Sequence, residues 1–139
     1  MKQAESPGAD RRRVVLVADD EEDVREMVRT ILGSAGFDSV AARDGKEALS
    51  VIQGLSGRVD LVLTDVMMPQ FDGPTLARRL ARDWPDIPVL FMTGYMADAL
   101  AARGLLPADV PRIEKPFRIR HLIGKVRAAL NLPPLPPKK

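Results

Sequence analysis

Three apolar runs in this sequence lead into charged residues: Val14 to Ala18 into Asp19-Asp20, Leu61 to Thr64 into Asp65, and Ile113 toward Lys115-Pro116. An aspartate carboxylate is a competent nucleophile toward a phosphoryl group, forming an acyl phosphate, once the negative charge around it is neutralised. Asp65 has no adjacent base and needs none. Asp19 and Asp20 set beside Asp65 would repel one another, and the usual resolution is a hard divalent cation held through oxygen. Magnesium suits such a site because it takes carboxylates and a carbonyl and keeps waters that leave room for phosphate oxygens, with manganese as the alternative ion. These residue types point to metal-assisted phosphoryl transfer, provided that the fold brings them together.

Composition removes the competing chemistries. No cysteine is present, which excludes disulfides and thiolate metal sites, and the single histidine, His121, excludes a histidine-based zinc site or catalytic triad. A hydrophobic fraction of 45% with 29% charged residues excludes disorder for most of the chain. A net charge of +2 is too small to call for nucleic acid. The 139 residues amount to one domain with room for a real core. No apolar stretch approaches the roughly 20 residues that cross a bilayer, and Met1 to Arg13 lacks the apolar centre of a signal peptide, so no membrane partner and a cytoplasmic location are expected.

The elements that must position the charges alternate along the chain. Arg13 to Ala18 reads as a strand; Glu22 to Ala35 then carries Val24, Met27, Val28, Ile31 and Leu32, the stripe of a helix with one buried face. Phe37 to Ala42 is a short strand, Gly45 to Gln53 a helix, and Asp60 to Thr64 a strand without polar alternation, as expected where both faces are covered. Pro74 opens a helix over Thr75 to Asp83, Pro88 to Thr93 is a fourth strand, and Ala97 to Arg103 a weak fourth helix. Arg112 to Glu114 is a fifth strand, and Arg118 to Leu130 a last helix with Ile119, Leu122, Ile123, Val126 and Leu130 on one face. Such alternation gives an α/β fold, a parallel sheet with helices on both faces, because right-handed crossovers pack back on the sheet. All carboxyl ends of a parallel sheet lie along one edge, where the acids and the lysine can meet. Residues 1–12 and 131–139 read as flexible segments flanking one domain over 13–130. The second is mostly proline, which favours an extended, solvated chain over a packed one, and Pro133 to Lys138 has the spacing of a ligand for aromatic peptide grooves.

Asp19-Asp20, Asp65 within Leu63-Thr64-Asp65-Val66-Met67-Met68-Pro69, Asp72-Gly73, Thr93-Gly94-Tyr95 and Lys115-Pro116-Phe117 stand in one order. Together they resemble the receiver domain of two-component response regulators, over roughly Arg13 to Leu130. The resemblance implies a doubly wound, five-stranded parallel sheet of flavodoxin-like order 2-1-3-4-5, the topology for which a member of this family is itself a standard example. It implies that Asp65 is the phosphoacceptor, that Asp20, Asp65 and the Met67 carbonyl bind Mg2+ directly, and that Asp19 acts through water. Lys115 and Thr93 would serve the phosphoryl oxygens. A cis Lys115-Pro116 bond is expected, since X-Pro bonds adopt that isomer at low cost and the family uses it to aim the lysine inward. Gly73 is structural, in a turn entering the third helix. The phosphoryl donor would be a sensor histidine kinase or a phosphotransfer protein, because His121 lies outside the apolar stripe of its helix and reads as a surface residue.

The chain departs from the commonest receiver pattern at Arg112, three residues before the lysine, where an aromatic ring usually switches inward. An arginine there should stay at the surface. Tyr95, as in the Thr-Gly-Tyr subset of receivers, then becomes the candidate switch residue with Thr93. Met67 and Tyr95 offer no acid or amide to orient water, which should slow hydrolysis of the acyl phosphate. Output is expected through contact with a downstream protein, or a phosphorylation-dependent homodimer, at the face of the fourth helix, fifth strand and last helix; Arg118, Arg120, Lys125 and Arg127 could serve it. The chain would be no enzyme beyond its own phosphorylation and slow dephosphorylation. Alternatives are a receiver cut from a hybrid kinase or larger regulator, an aspartyl-nucleophile phosphohydrolase and a pseudo-receiver. The hydrolase pattern needs its nucleophile after the first strand in an Asp-x-Asp pair, which is absent, and the intact Asp19, Asp20, Asp65 and Lys115 speak against the pseudo-receiver.

Overall fold

The computed structural model describes residues 12–68, 72–94 and 111–136. Runs such as Val-Val-Leu-Val-Ala and Val-Leu-Phe-Met-Thr have no polar alternation, and both lie inside a parallel sheet whose two faces are covered. The strands are β1 (Val14–Ala18), β2 (Asp38–Ala42), β3 (Leu61–Asp65), β4 (Val89–Thr93) and β5 (Arg112–Glu114), in the order β2-β1-β3-β4-β5. The helices are α1 (Glu22–Ser34), α2 (Gly45–Gly54), α3 (Gly73–Asp83) and α4 (Ile119–Ala129). The expected helix at Ala97 to Arg103 lies outside the described residues.

Period-two alternation along the strands divides the core into two layers. Val15, Val17, Leu61, Leu63, Leu90 and Met92 meet Val28, Ile31 and Leu32 of α1 and Leu122, Ile123 and Val126 of α4. Their strand neighbours Leu16, Ala18 and Val62 meet Ala48, Leu49 and Ile52 of α2 and Leu76 and Leu80 of α3. A one-residue slip of any strand would exchange its two sets, so burial on both faces fixes the register. That register places Ala18 opposite Thr64, Asp65 opposite Met92, and Thr93 opposite Glu114. The residues at the strand ends are thereby held along one edge.

Element ends fall within a residue or two of the sequence reading, and local hydrogen bonds explain the shifts. Asp60 lies before β3 rather than in it, because its carboxylate accepts the Val14 N–H. Asp72 caps α3 by accepting the Thr75 N–H, so the helix begins at Gly73. Asp44 accepts from the Glu47 N–H while the Glu47 carboxylate accepts from the Arg43 N–H, a reciprocal cap that starts α2.

The proline-rich end departs from expectation. Leu132 and Leu135 are half-buried against the layer shared by α1 and α4, while Pro133, Pro134 and Pro136 are exposed, so the segment is anchored by its leucines with its prolines at the surface. Composition predicts solvation because prolines supply no N–H for a ladder; here arginines of α4 donate to the proline carbonyls and the two leucines supply apolar contact.

Candidate functional site

Asp19 directly follows β1, Asp65 ends β3, Thr93 ends β4, and Lys115 follows β5, so strand register alone carries these groups to the carboxyl edge of the sheet. Lys115 Nζ lies 3.0 Å from Asp19 Oδ2 and 3.5 Å from Asp65 Oδ2. Carboxylate oxygens of Asp19, Asp20 and Asp65 all lie within 4.8 Å of one another. Asp19 is fully buried, whereas Asp20 is exposed. Both oxygens of Asp19 are engaged, Oδ1 by the Glu21 N–H and Oδ2 by Lys115. The Lys115–Pro116 peptide bond is cis, and the Lys115 N–H donates to the Thr93 carbonyl at 2.6 Å.

Burial acts against the charge of Asp65. It raises the carboxyl from 3.8 to about 6, helped by the charge of Asp19 and opposed by Lys115. Burial also pulls Lys115 down, but its hydrogen bond to Asp19 and the charges of Asp65 and Asp19 outweigh this and hold the ammonium above its ordinary value. Both partners are thus raised: Asp65 carries the electrostatic strain of the cluster, and one lysine does not neutralise it. A hard cation fits this oxygen set, because it would relieve the strain that remains. Beside it, Thr93 is buried with a hydroxyl that has no hydrogen-bond partner. An orphaned buried hydroxyl is costly in a folded protein.

Gly73, expected as structural, and Arg25, which a reading based on charged motifs misses, support the site. Gly73 brings α3 against β3: a Cβ there would stand 2.5 Å from the Asp65 carbonyl oxygen and 3.0 Å from the ring of Phe91. Its N–H donates to the Val66 carbonyl, which ties the helix start to the loop after Asp65. Arg25 of α1 donates from Nη1 to the Asp19 carbonyl at 2.9 Å; only its place one turn into α1, facing back toward the end of β1, could have signalled this.

The sequence matches the response regulator receiver domain family over residues 15–127. The chain belongs to that family. It is 42% identical over 119 residues to the sensor kinase CckA of Brucella abortus, covering 84% of this chain but 12% of that protein. It is 34% identical to the response regulator receiver protein CpdR of the same species, covering 84% of this chain and 95% of CpdR. Among solved structures, the response regulator receiver protein from Sinorhizobium medicae superposes with a TM-score of 0.75 at 31% identity, covering 86% of this chain and 95% of that one. The chain is accordingly a phosphorelay receiver of two-component signalling, a class that signals rather than turning over substrate.

The remaining expectations for the receiver fall as follows. Met67 is exposed at the rim of the site, with 60% of its surface accessible, and Met68 is buried. Arg112 is half-buried on β5 opposite Phe91. Tyr95 lies outside the described residues. His121 is exposed on α4, as is Ile119, which the apolar stripe had placed inward. Among the described residues, no helix is long and apolar enough to cross a membrane.

Proposed function

We propose that Asp65 is the residue of this receiver that accepts the phosphoryl group, from the phosphohistidine of a sensor histidine kinase or phosphotransfer protein. The observation that carries the reading is the convergence on one sheet edge of Asp65, two further carboxylates, a lysine within 3.5 Å and a buried hydroxyl lacking a partner. Asp20, Asp65 and the Met67 carbonyl would hold Mg2+, with Asp19 acting through water; the full engagement of Asp19 by Glu21 and Lys115 supports its indirect role. When bound, the ion would offset the carboxylate charge and that of the phosphoryl oxygens.

In the transfer, an Asp65 oxygen forms the new bond to phosphorus as the donor's P–N bond breaks, and the imidazole leaves with the electron pair. Lys115, already shared between Asp19 and Asp65, meets the added negative charge, and Thr93 donates its hydroxyl to a phosphoryl oxygen. Met67 has no group to orient an attacking water, so the acyl phosphate hydrolyses slowly. Phosphorylation then alters contacts with a downstream protein or a second copy. The 42% identity to part of CckA supports a second reading, in which this receiver is one domain of a longer regulator or hybrid kinase. Acetyl phosphate with magnesium tests the assignment: intact mass should show one added phosphoryl group on the native chain and none on Asp65→Asn. A phosphorylated Asp65→Asn protein would move the acceptor elsewhere.

A further inference from the structure

Asp19 is held at each of its polar atoms. Its N–H donates to the Ala42 carbonyl at 3.1 Å, which carries the β1–β2 ladder one residue past the strand. Its carboxylate accepts the Glu21 N–H at Oδ1 and Lys115 Nζ at Oδ2. Its carbonyl accepts from Nη1 of the half-buried Arg25 at 2.9 Å. That carbonyl belongs to the planar peptide joining Asp19 to Asp20, so Arg25 fixes the rotation of the plane from which Asp20 is suspended. Asp20 thus lies in a turn closed on one side by the Asp19 carboxylate, which reaches over it to Glu21, and on the other by a guanidinium. Helix energetics do not account for this placement of the arginine. Its donor reaches back to a carbonyl that precedes α1, toward the end of the helix where a cation is unfavourable. Among the described residues Arg25 makes no ion pair, although Glu22 and Asp23 stand in the first turn.

We propose that Arg25 is a positioning residue for the cation site: by holding the Asp19 carbonyl it presents the exposed Asp20 carboxylate beside Asp65, and it acts on phosphoryl transfer only through the ion. This rests on the reading above, in which Asp20 and Asp65 hold Mg2+. The charge of Arg25 and its hydrogen bond have opposite consequences there. As a charge near three acids it competes with an incoming cation, so its removal should tighten magnesium binding. As a tether of the Asp19–Asp20 peptide its removal should loosen binding, because Asp20 must then be ordered as the ion binds. Solvent screens the charge of a half-exposed side chain, whereas the tether is a direct bond, so the second effect wins.

Calorimetric titration of the full chain with magnesium chloride tests the sign. Arg25→Met keeps the apolar stem but removes donor and charge, and it should weaken binding about tenfold; Arg25→Lys, which keeps a long cationic donor, should recover part of the loss. Phosphorylation by acetyl phosphate should need correspondingly more magnesium and return to the native rate once the ion saturates. Circular dichroism in chelator reports whether each variant is folded, and if Arg25→Met is not, Arg25→Gln, whose amide is too short to reach the carbonyl, is read in the same way. Native or tighter magnesium binding by the folded Met or Gln variant overturns the role of Arg25. Asp20→Ala separates that failure from failure of the reading beneath it. Native affinity in Asp20→Ala overturns the ligand set itself, whereas weakened binding there beside unchanged binding in Arg25→Met removes Arg25 alone.

Discussion

As the proposed phosphoacceptor, Asp65 would have to be buried enough to shelter an acyl phosphate and ionised enough to attack phosphorus, and the two demands conflict. Its folded-state value of about 6 against an ordinary 3.8 means that, between those pH values, the unfolded chain is ionised while the folded one holds a proton. Stability from this group is therefore present in full below about 3.8 and lost as pH rises through about 6. At roughly 1.4 kcal/mol per pKa unit, the ionised site costs the metal-free fold at most about 3 kcal/mol. In chelator, Asp65→Asn should thus gain melting temperature relative to the native chain as pH is raised from about 4 to about 7; a constant difference across that range would show that burial of Asp65 is not the source of strain. Magnesium should act in the same direction. Millimolar Mg2+ should raise the melting temperature of the native protein at neutral pH, and Asp20→Ala should remove most of that response, whereas an undiminished response would place the ion on other ligands. These acids and Lys115 were legible as types in the sequence, because each follows an apolar run. That Lys115 sits closer to Asp19 than to Asp65 was not, since that preference depends on three strands meeting at fixed register.

Elements deliver these side chains only if helices and strands approach closely enough, and Gly73 is where the approach is tightest. A methyl group there would meet the Asp65 carbonyl oxygen at 2.5 Å, a contact with backbone that no rotamer change relieves. Gly73→Ala should cost about 1–3 kcal/mol by overpacking and should slow phosphorylation by acetyl phosphate, because relief requires β3 or the start of α3 to move. Gly124, inside α4 with open space around its Cα, is the control: Gly124→Ala should be neutral or stabilising by up to about 1 kcal/mol through helix propensity alone. Chemical denaturation of the two variants decides the matter, and equal effects would refute the close-approach argument. Helix stripes and apolar strand runs made the described elements legible to within a residue or two. The anchoring of the segment after α4 was hidden, because its prolines signal solvation, and the arginines that meet its carbonyls carry no mark distinguishing them from a solvated basic face.

Across the whole molecule, a parallel sheet covered on both faces followed from alternation and crossover handedness, and its strand order from the resemblance to receivers, but the route by which phosphorylation is announced does not follow from topology. Receivers commonly place an aromatic ring where this chain has Arg112, and a half-buried arginine opposite Phe91 cannot turn inward without burying its charge. We propose that the response begins elsewhere on the same edge. Thr93 is poised for it: its hydroxyl lacks a partner, and its carbonyl holds the Lys115 N–H, so any movement of Thr93 toward a phosphoryl oxygen is felt at the end of β4 and at the lysine together. Residues 95–103, which lie outside the described residues, follow Thr93 directly in the sequence, and we propose that they carry the two-state change. Phosphorylation should shift the population of that segment, with the new Thr93 hydrogen bond supplying the differential free energy. Amide exchange with and without beryllofluoride and magnesium should show altered protection over residues 93–103 and little change in α2 and α3 on the opposite layer. Thr93→Val should still bind the phosphoryl analogue through Asp65 and Lys115 but lose the altered protection. Equal protection of 93–103 in both states, with the change appearing on another face, would assign the switch to that face instead.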